Sequence, residues 1–253
     1  MKACLPGFFS FNQAKDLVRI GRDFDGGYLV SISDIEQSEL LIGLGINDDW
    51  SFEEDFLNQK KVPIYAYDAS VGAKIFFKKL AQSFFSIYNF KIFANHLKVY
   101  LKYKKFFSQP DVHHIQKFVG INTENESHCT FADVLSKTNN KNIFLKIDIE
   151  GSEYRFLNDI IANEEKITGL VIEFHDCDIH LNQIERFIKQ FRLNLVHIHV
   201  NNYAPIRFDD NLPLVLELTF SKNANCSIDF KSPHKLDMPN NENLLDYELI
   251  INK

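Results

Sequence analysis

Residues 142–153, NIFLKIDIEGSE, constrain the fold more than any other stretch of the chain. An apolar run from Ile143 to Ile147 delivers Asp148 and Glu150 on either side of Ile149, and a helical pattern starts directly after Gly151. A buried strand that ends in carboxylates and turns sharply into a helix is how an open α/β sheet presents chemistry at its carboxyl edge. The rest of the chain repeats the rhythm. Residues 40–45 (LLIGLG), 62–70 (VPIYAYDAS), 115–121, 170–176 (LVIEFHD), 195–200 and 212–220 all read as strands, separated by helical periodicity such as Leu181, Ile184, Phe187, Ile188 and Phe191. The expected architecture is α/β, a Rossmann-like doubly wound sheet of seven strands.

The first strand ends in Gly45-Ile46-Asn47-Asp48-Asp49. Ser51 and Glu54 then have the spacing of a capping box, as do Thr130 and Asp133 further on. Asp48 stands where a dinucleotide-binding turn has its third glycine, and acids crowd the helix start. A pyrophosphate would be repelled there, which disfavours a nicotinamide oxidoreductase, whereas a ligand with a cationic centre is favoured. Asp68 closes the second strand at the distance where an acidic residue holds a ribose diol, although a turn aspartate would look the same. Asp25-Gly26-Gly27 marks a hairpin turn, either only that or a flap with Tyr28 at its edge.

Composition matters most between residues 71 and 112. The chain carries 28 basic and 34 acidic residues, a net charge of −6, which gives no general case for nucleic-acid binding. That one segment nevertheless holds eight lysines, no arginine and a single acid, Asp111, leaving 20 basic against 33 acidic residues elsewhere. It also contains 11 aromatics, and Phe77, Leu80, Phe84 and Ile87 are spaced as on a helix. It is too long for a simple crossover and reads as a helical, basic insertion within a single domain spanning 1–253. A cap over the core, a phosphate-binding lid, a homodimer surface and an anionic membrane contact all suit it. The four cysteines are too scattered for a zinc ribbon or a disulfide framework, so a reducing cytoplasm is the expected compartment. The first residues lack a signal peptide's apolar stretch, and no run approaches the ~18 apolar residues of a membrane span.

Strands four and five bring Asp148, Glu150, Glu173, His175 and Asp176 to one edge. His175 is the first candidate for a general base, with Asp148 orienting it or taking the proton itself. The rival scheme is a divalent Mg²⁺ or Mn²⁺ ion held by Asp148 with Glu173, His175 or Asp176. Glu150 and Gly151 read as the turn shaping one end of the cofactor pocket. Tyr28, Lys102, His199, Asn201 and Asn202 are candidate substrate contacts, although alternate histidines at 197 and 199 also suit a half-exposed strand. Glu217, deep in an apolar run, pairs with a core Lys or Arg or contacts substrate.

LLIGLGINDDWSFEEDF, LKIDIEGSEYRFL and VIEFHD, with the DGGY hairpin and HVNNYAP followed by LELTF, together resemble S-adenosylmethionine-dependent methyltransferases of the FkbM-like type. The resemblance covers most of residues 19–221 outside the insertion. It implies a sheet whose last strand is antiparallel, S-adenosylmethionine as cofactor, and O-methylation of a sugar hydroxyl, with a nucleotide-linked sugar of surface polysaccharide as the expected acceptor. It places Gly43, Gly45 and Asn47 at the methionine part, Asp68 at the ribose and Asn122 beside the adenine. A non-catalytic module that keeps the fold and contacts a partner or membrane through the insertion is the alternative.

Overall fold

The computed structural model describes residues 1–84, 90–226 and 232–252. Phe85, Ile87 and Tyr88 of the aromatic segment lie outside the described residues. The chain opens with β1 (Lys2–Leu5), the hairpin of β2 (Leu17–Ile20) and β3 (Tyr28–Ser31), and the short α1 (Ile32–Gln37). Then β4 (Leu40–Leu44), α2 (Ser51–Gln59) and β5 (Ile64–Tyr67) form the first crossover. The insertion supplies α3 (Ala73–Phe84) and α4 (Phe90–Phe106). It is followed by β6 (Val112–Ile115), the small pair β7 (Phe118–Val119) and β8 (His128–Cys129), and α5 (Phe131–Ser136). The second half runs β9 (Ile143–Ile147), α6 (Leu157–Ala162), β10 (Ile167–Phe174), α7 (Cys177–Gln190), β11 (Asn194–Val200), β12 (Leu216–Ser221) and β13 (Glu248–Ile251).

The central sheet has seven strands in the order β11-β12-β10-β9-β4-β5-β6. All pairings from β6 to β10 are parallel, and β12 runs antiparallel between β10 and β11. This is the expected doubly wound α/β sheet with its last strand antiparallel. Its central strands are apolar on both faces because both are covered, as parallel sheets require. Leu40, Ile42, Leu44, Leu145 and Ile147 pack on one side, against Phe131, Phe156 and Phe187. Leu41, Phe144 and Val171 pack on the other, against Phe52 and Phe56. Chain order reverses between β4 and β9, so the switch point lies where their carboxyl ends part, the usual ligand crevice of such sheets.

Several boundaries differ from the sequence reading. The third sheet strand is β6 rather than 115–121, which instead contributes β7 to the small pair. Helix α2 starts without the Ser51/Glu54 box: its N-cap is Trp50, and Ser51 Oγ accepts from Arg22 N at 3.0 Å. The competing acceptor need of the 19–30 hairpin outweighs the local motif. The Thr130/Asp133 box is formed. The chain's apolar end joins β1 in a parallel pair. The insertion is anchored where Phe76 and Tyr103 pack on Trp50, with ring centroids 6.2 and 5.7 Å apart. Tyr103 also reaches His114 Nδ1, whose Nε2 meets the Asp68 carbonyl at 2.8 Å. Among the described residues no helix is long and apolar enough to cross a membrane.

Candidate active site

A cleft of about 630 Å³ opens at the switch point. Its wall is the turn after β4. Gly45 takes a φ of +83°, and a Cβ there would lie 1.7 Å from the Asp148 carbonyl oxygen, so only glycine lets the two strand ends approach this closely. Asn47 follows at a φ of +44°. The turn is held by Asp68, whose Oδ2 accepts from Ile46 N at 3.1 Å and Asn47 N at 2.8 Å, while Oδ1 accepts from Ser70 N and Oγ. The spacing between Gly45 and Asp68 is thus a built contact between neighbouring strand ends.

Charge defines the cleft. Asp25, Asp48, Asp49, Glu53, Asp68, Asp148, Glu150 and Glu173 line it, against Arg22, Lys117, Lys146 and the His175 imidazole. Lys146 is the hub. It is buried, its Nζ donates to the Gly45 carbonyl at 2.7 Å, and it lies 3.4 Å from Asp148 Oδ2. Burial alone would favour the neutral amine, but Asp148, Glu53 and Glu173 outweigh it and raise the pKa. Glu53 is buried behind the wall, where Gly43 leaves room for its Oε1, and burial lifts its pKa to about 7. Glu173 is pushed well above the carboxylate range by burial, then by Asp148 and Glu217. The Tyr28 hydroxyl bridges Glu173 Oε2 at 3.1 Å and Asp148 Oδ2 at 3.2 Å, and Asn201 Nδ2 donates to Glu173 Oε1 at 2.9 Å.

His175 projects into this group with Nδ1 donating to Glu153 Oε1 at 2.9 Å and Nε2 3.5 Å from Glu173 Oε1. Burial opposes a charge on the ring, but the Glu153 hydrogen bond and the Glu173, Glu153 and Asp148 carboxylates outweigh it and hold the pKa at about 9. The imidazole is therefore cationic at neutral pH in the free protein. Glu153 is fully buried and also accepts from Ile149 N and Gly151 N, which ties the ring to the turn after β9.

These shifts set the pH dependence of stability. His175 is raised from 6.5 to about 9, so its contribution is complete below 6.5 and is lost as pH rises through 9. Glu53 is raised from 4.5 to about 7, so the folded state also holds its proton longer than the unfolded chain. Both make the folded form the better proton binder, and the melting temperature of the free protein should fall as pH rises from 6.5 towards 9. His175→Asn should flatten that slope. A melting temperature that rises across this interval would contradict the assignment.

The structure brings together Gly45, Asn47, Asp68, Asp148, Glu150, Glu173, His175 and Asn201, all lining the cleft. Other predicted residues sit elsewhere. Gly43 is a packing seat for Glu53. Tyr28 lies buried beneath the floor rather than at the edge of a flap, because its strand packs against the sheet. Asn122 is exposed and outside the cleft, whose matching wall is Lys117, Phe118 and Val119. Lys102 is exposed on α4, and none of the insertion's eight lysines lines the cleft. His199 is buried between Glu217 Oε2 and Asp246 Oδ2, each at 3.2 Å, which also answers Glu217's need for a partner. Asn202 is buried against the backbone of Asn241.

The residues that sequence reading missed are Lys146, Glu53, Glu153, Arg22, Lys117, Phe118 and Tyr203. Only Lys146 left a signal, a lone charge in an otherwise apolar strand, where lysine is almost never fully buried unless paired.

Asp148, Glu173 and His175 place one ligand atom each within 4.8 Å of one another, the only such triad among the described residues. Asp176 stands apart, at a left-handed φ of +50° that turns the chain into α7. A divalent ion in the triad would compete with the Lys146 ammonium, the Tyr28 hydroxyl and the Asn201 amide for the same oxygens. The donor set already has its cation and fits a metal poorly.

No family model matches the chain, and no curated protein matches it. Similar solved structures include precorrin-6y C5,15-methyltransferase from Geobacter metallireducens, at 14% identity over 84% of this chain and 94% of that chain, with a TM-score of 0.38. An rRNA methylase from Streptococcus thermophilus is 8% identical over 76% and 94% of the two chains, at a TM-score of 0.39. The Methanococcus jannaschii fibrillarin pre-rRNA processing protein is 10% identical over 76% and 70%, at 0.38. Likeness this distant assigns no activity.

Proposed function

We propose that the chain is an S-adenosylmethionine-dependent O-methyltransferase of the FkbM-like kind, acting on a sugar hydroxyl. The observation that carries the reading is the acidic cleft at the sheet's switch point, walled by the Gly45–Asp49 turn. Acids at the start of α2 repel a pyrophosphate but favour a sulfonium cation, and S-adenosylmethionine supplies an electrophilic methyl group on such a centre. Gly45 and Asn47 shape the methionine end, with Asp148 and Glu150 across from them. Asp68 closes the ribose side, where its Ser70 contacts are the ones a diol would take over. Phe118, open to the cleft, offers an aromatic face to the adenine. Tyr203 and Asn201 border the acceptor side.

The chain's own part in the reaction is positioning and proton handling. Holding two reactants in line contributes through effective molarities of ~10⁵ M or more. His175 takes the acceptor's proton at Nε2 once it is neutral, with Glu153 fixing the ring. A sulfonium brought into the cleft disfavours the imidazolium and drives it towards that state. The nucleotide link loses its motive, because the insertion's lysines do not reach the cleft.

Isothermal calorimetry with S-adenosylmethionine, in chelator, tests the first half. Binding is expected, with Asp68→Ala weakening it by about thirtyfold through loss of charged hydrogen bonds that order the turn. Absence of binding would leave a cofactor-free module. A methyl-transfer screen against sugars then tests the second half.

A further inference from the structure

We propose that the α3–α4 hairpin is a docking surface for an anionic lipid bilayer. Its outward side is apolar where a surface should not be. Phe77 is 56% exposed, Phe84 69%, Phe90 80% and Leu101 56%. Scattered exposed apolar residues mean little, but a contiguous patch marks an interaction site. These residues form two ring clusters across the paired helices: Phe77 meets Tyr100 at 5.9 Å between ring centroids, and Phe84 meets Phe93 at 5.8 Å, which in turn meets Phe90 at 6.3 Å. The inward side is separate. Phe76 and Ser83 of α3 and Tyr103 and Phe106 of α4 are buried, so the hairpin's core attachment does not use the outer stripe.

The helical spacing puts lysines along both margins. At 100° per residue, Phe77 and Phe84 share one direction on α3, with Lys74 and Lys78 on its outer flank. On α4, Phe90, Leu97 and Leu101 share a direction, with Lys91, Lys98, Lys102 and Lys105 beyond them. All six lysines are exposed. An apolar stripe between two rows of lysine, on helices too polar to span, is the pattern of an interfacial element whose amines reach headgroups while its rings enter the acyl boundary. Charge complementarity selects the occupant, because this is a positive island on an acidic body. A second copy docked by two-fold symmetry would set lysine rows against each other. A nucleic acid would leave the aromatic stripe without an apolar partner. Asp48 lines the main cleft and also a small hollow with Phe76, Lys79, Asn95, His96 and Val99, so docking would hold the cleft near the bilayer surface.

Co-sedimentation of the full chain with vesicles tests this. The protein should pellet with equal parts phosphatidylcholine and phosphatidylserine, not with phosphatidylcholine alone, and should be released at ~1 M salt. Combined Lys91→Glu, Lys98→Glu and Lys102→Glu should weaken partitioning by about a hundredfold, at roughly fivefold per lysine. Combined Phe84→Ser and Phe90→Ser should weaken it by about tenfold or more. Each variant should keep its melting temperature, since the altered side chains are exposed. Failure to pellet with either vesicle, or equal pelleting with both, would overturn the proposal. So would binding to an RNA duplex in place of vesicles, or a dimer in sedimentation velocity that the phenylalanine changes disperse.

Discussion

Lys146→Met is expected to destabilise the fold by about 3–5 kcal/mol at neutral pH, the cost of leaving buried charge without its partner. The ammonium is buried beside Asp148, Glu53 and Glu173, and it also satisfies the Gly45 carbonyl. Methionine fills the volume and offers neither charge nor donor. The loss should shrink on acidification: Glu53, with its pKa at about 7, takes up a proton, and burial raises the pKa of Glu173 in the same direction. Adding Glu53→Gln should restore part of the stability, because it removes one of the uncompensated charges. Urea unfolding at two pH values reads both effects. Equal loss at acid and neutral pH would show that Lys146 acts by packing and not by charge.

His175→Gln is expected to lower turnover by ~10²-fold or more in the proposed reaction. The accompanying pH profile is the sharper readout. The wild type should gain activity with rising pH until the imidazole is neutral, at a midpoint below the free protein's value of about 9 because bound sulfonium opposes the proton. His175→Gln should erase that limb. Glu153→Gln should move it to lower pH, since the amide oxygen can still accept from Nδ1 but the negative charge that favours the imidazolium is gone. Turnover near wild type with an unchanged profile would remove His175 from proton transfer and leave the cleft working by positioning alone.

The two halves of the site were unequally legible. Gly45 and Asp68 could be placed together from sequence because each ends a strand of a parallel pair, and strand ends in a doubly wound sheet share an edge. Asp148 and His175 follow from the same rule applied to β9 and β10. Lys102, His199 and Asn202 failed under it. Lys102 sits on an insertion with its own orientation, while His199 and Asn202 are covered by the chain after residue 232, which no local pattern places over β11.

Sequence alone determined the alternation of strands and helices, the switch point and the acidic character of the edge, because periodicity and strand termination are local properties of the chain. Tertiary structure decided which charges face one another. Glu153 against His175, Glu53 and Lys146 beneath the wall, and Tyr28 under Glu173 are contacts between residues on different elements. The proton inventory of the site depends on those through-space distances and on burial. Spacing along the chain carries neither, so it gave the carboxylates without their partners.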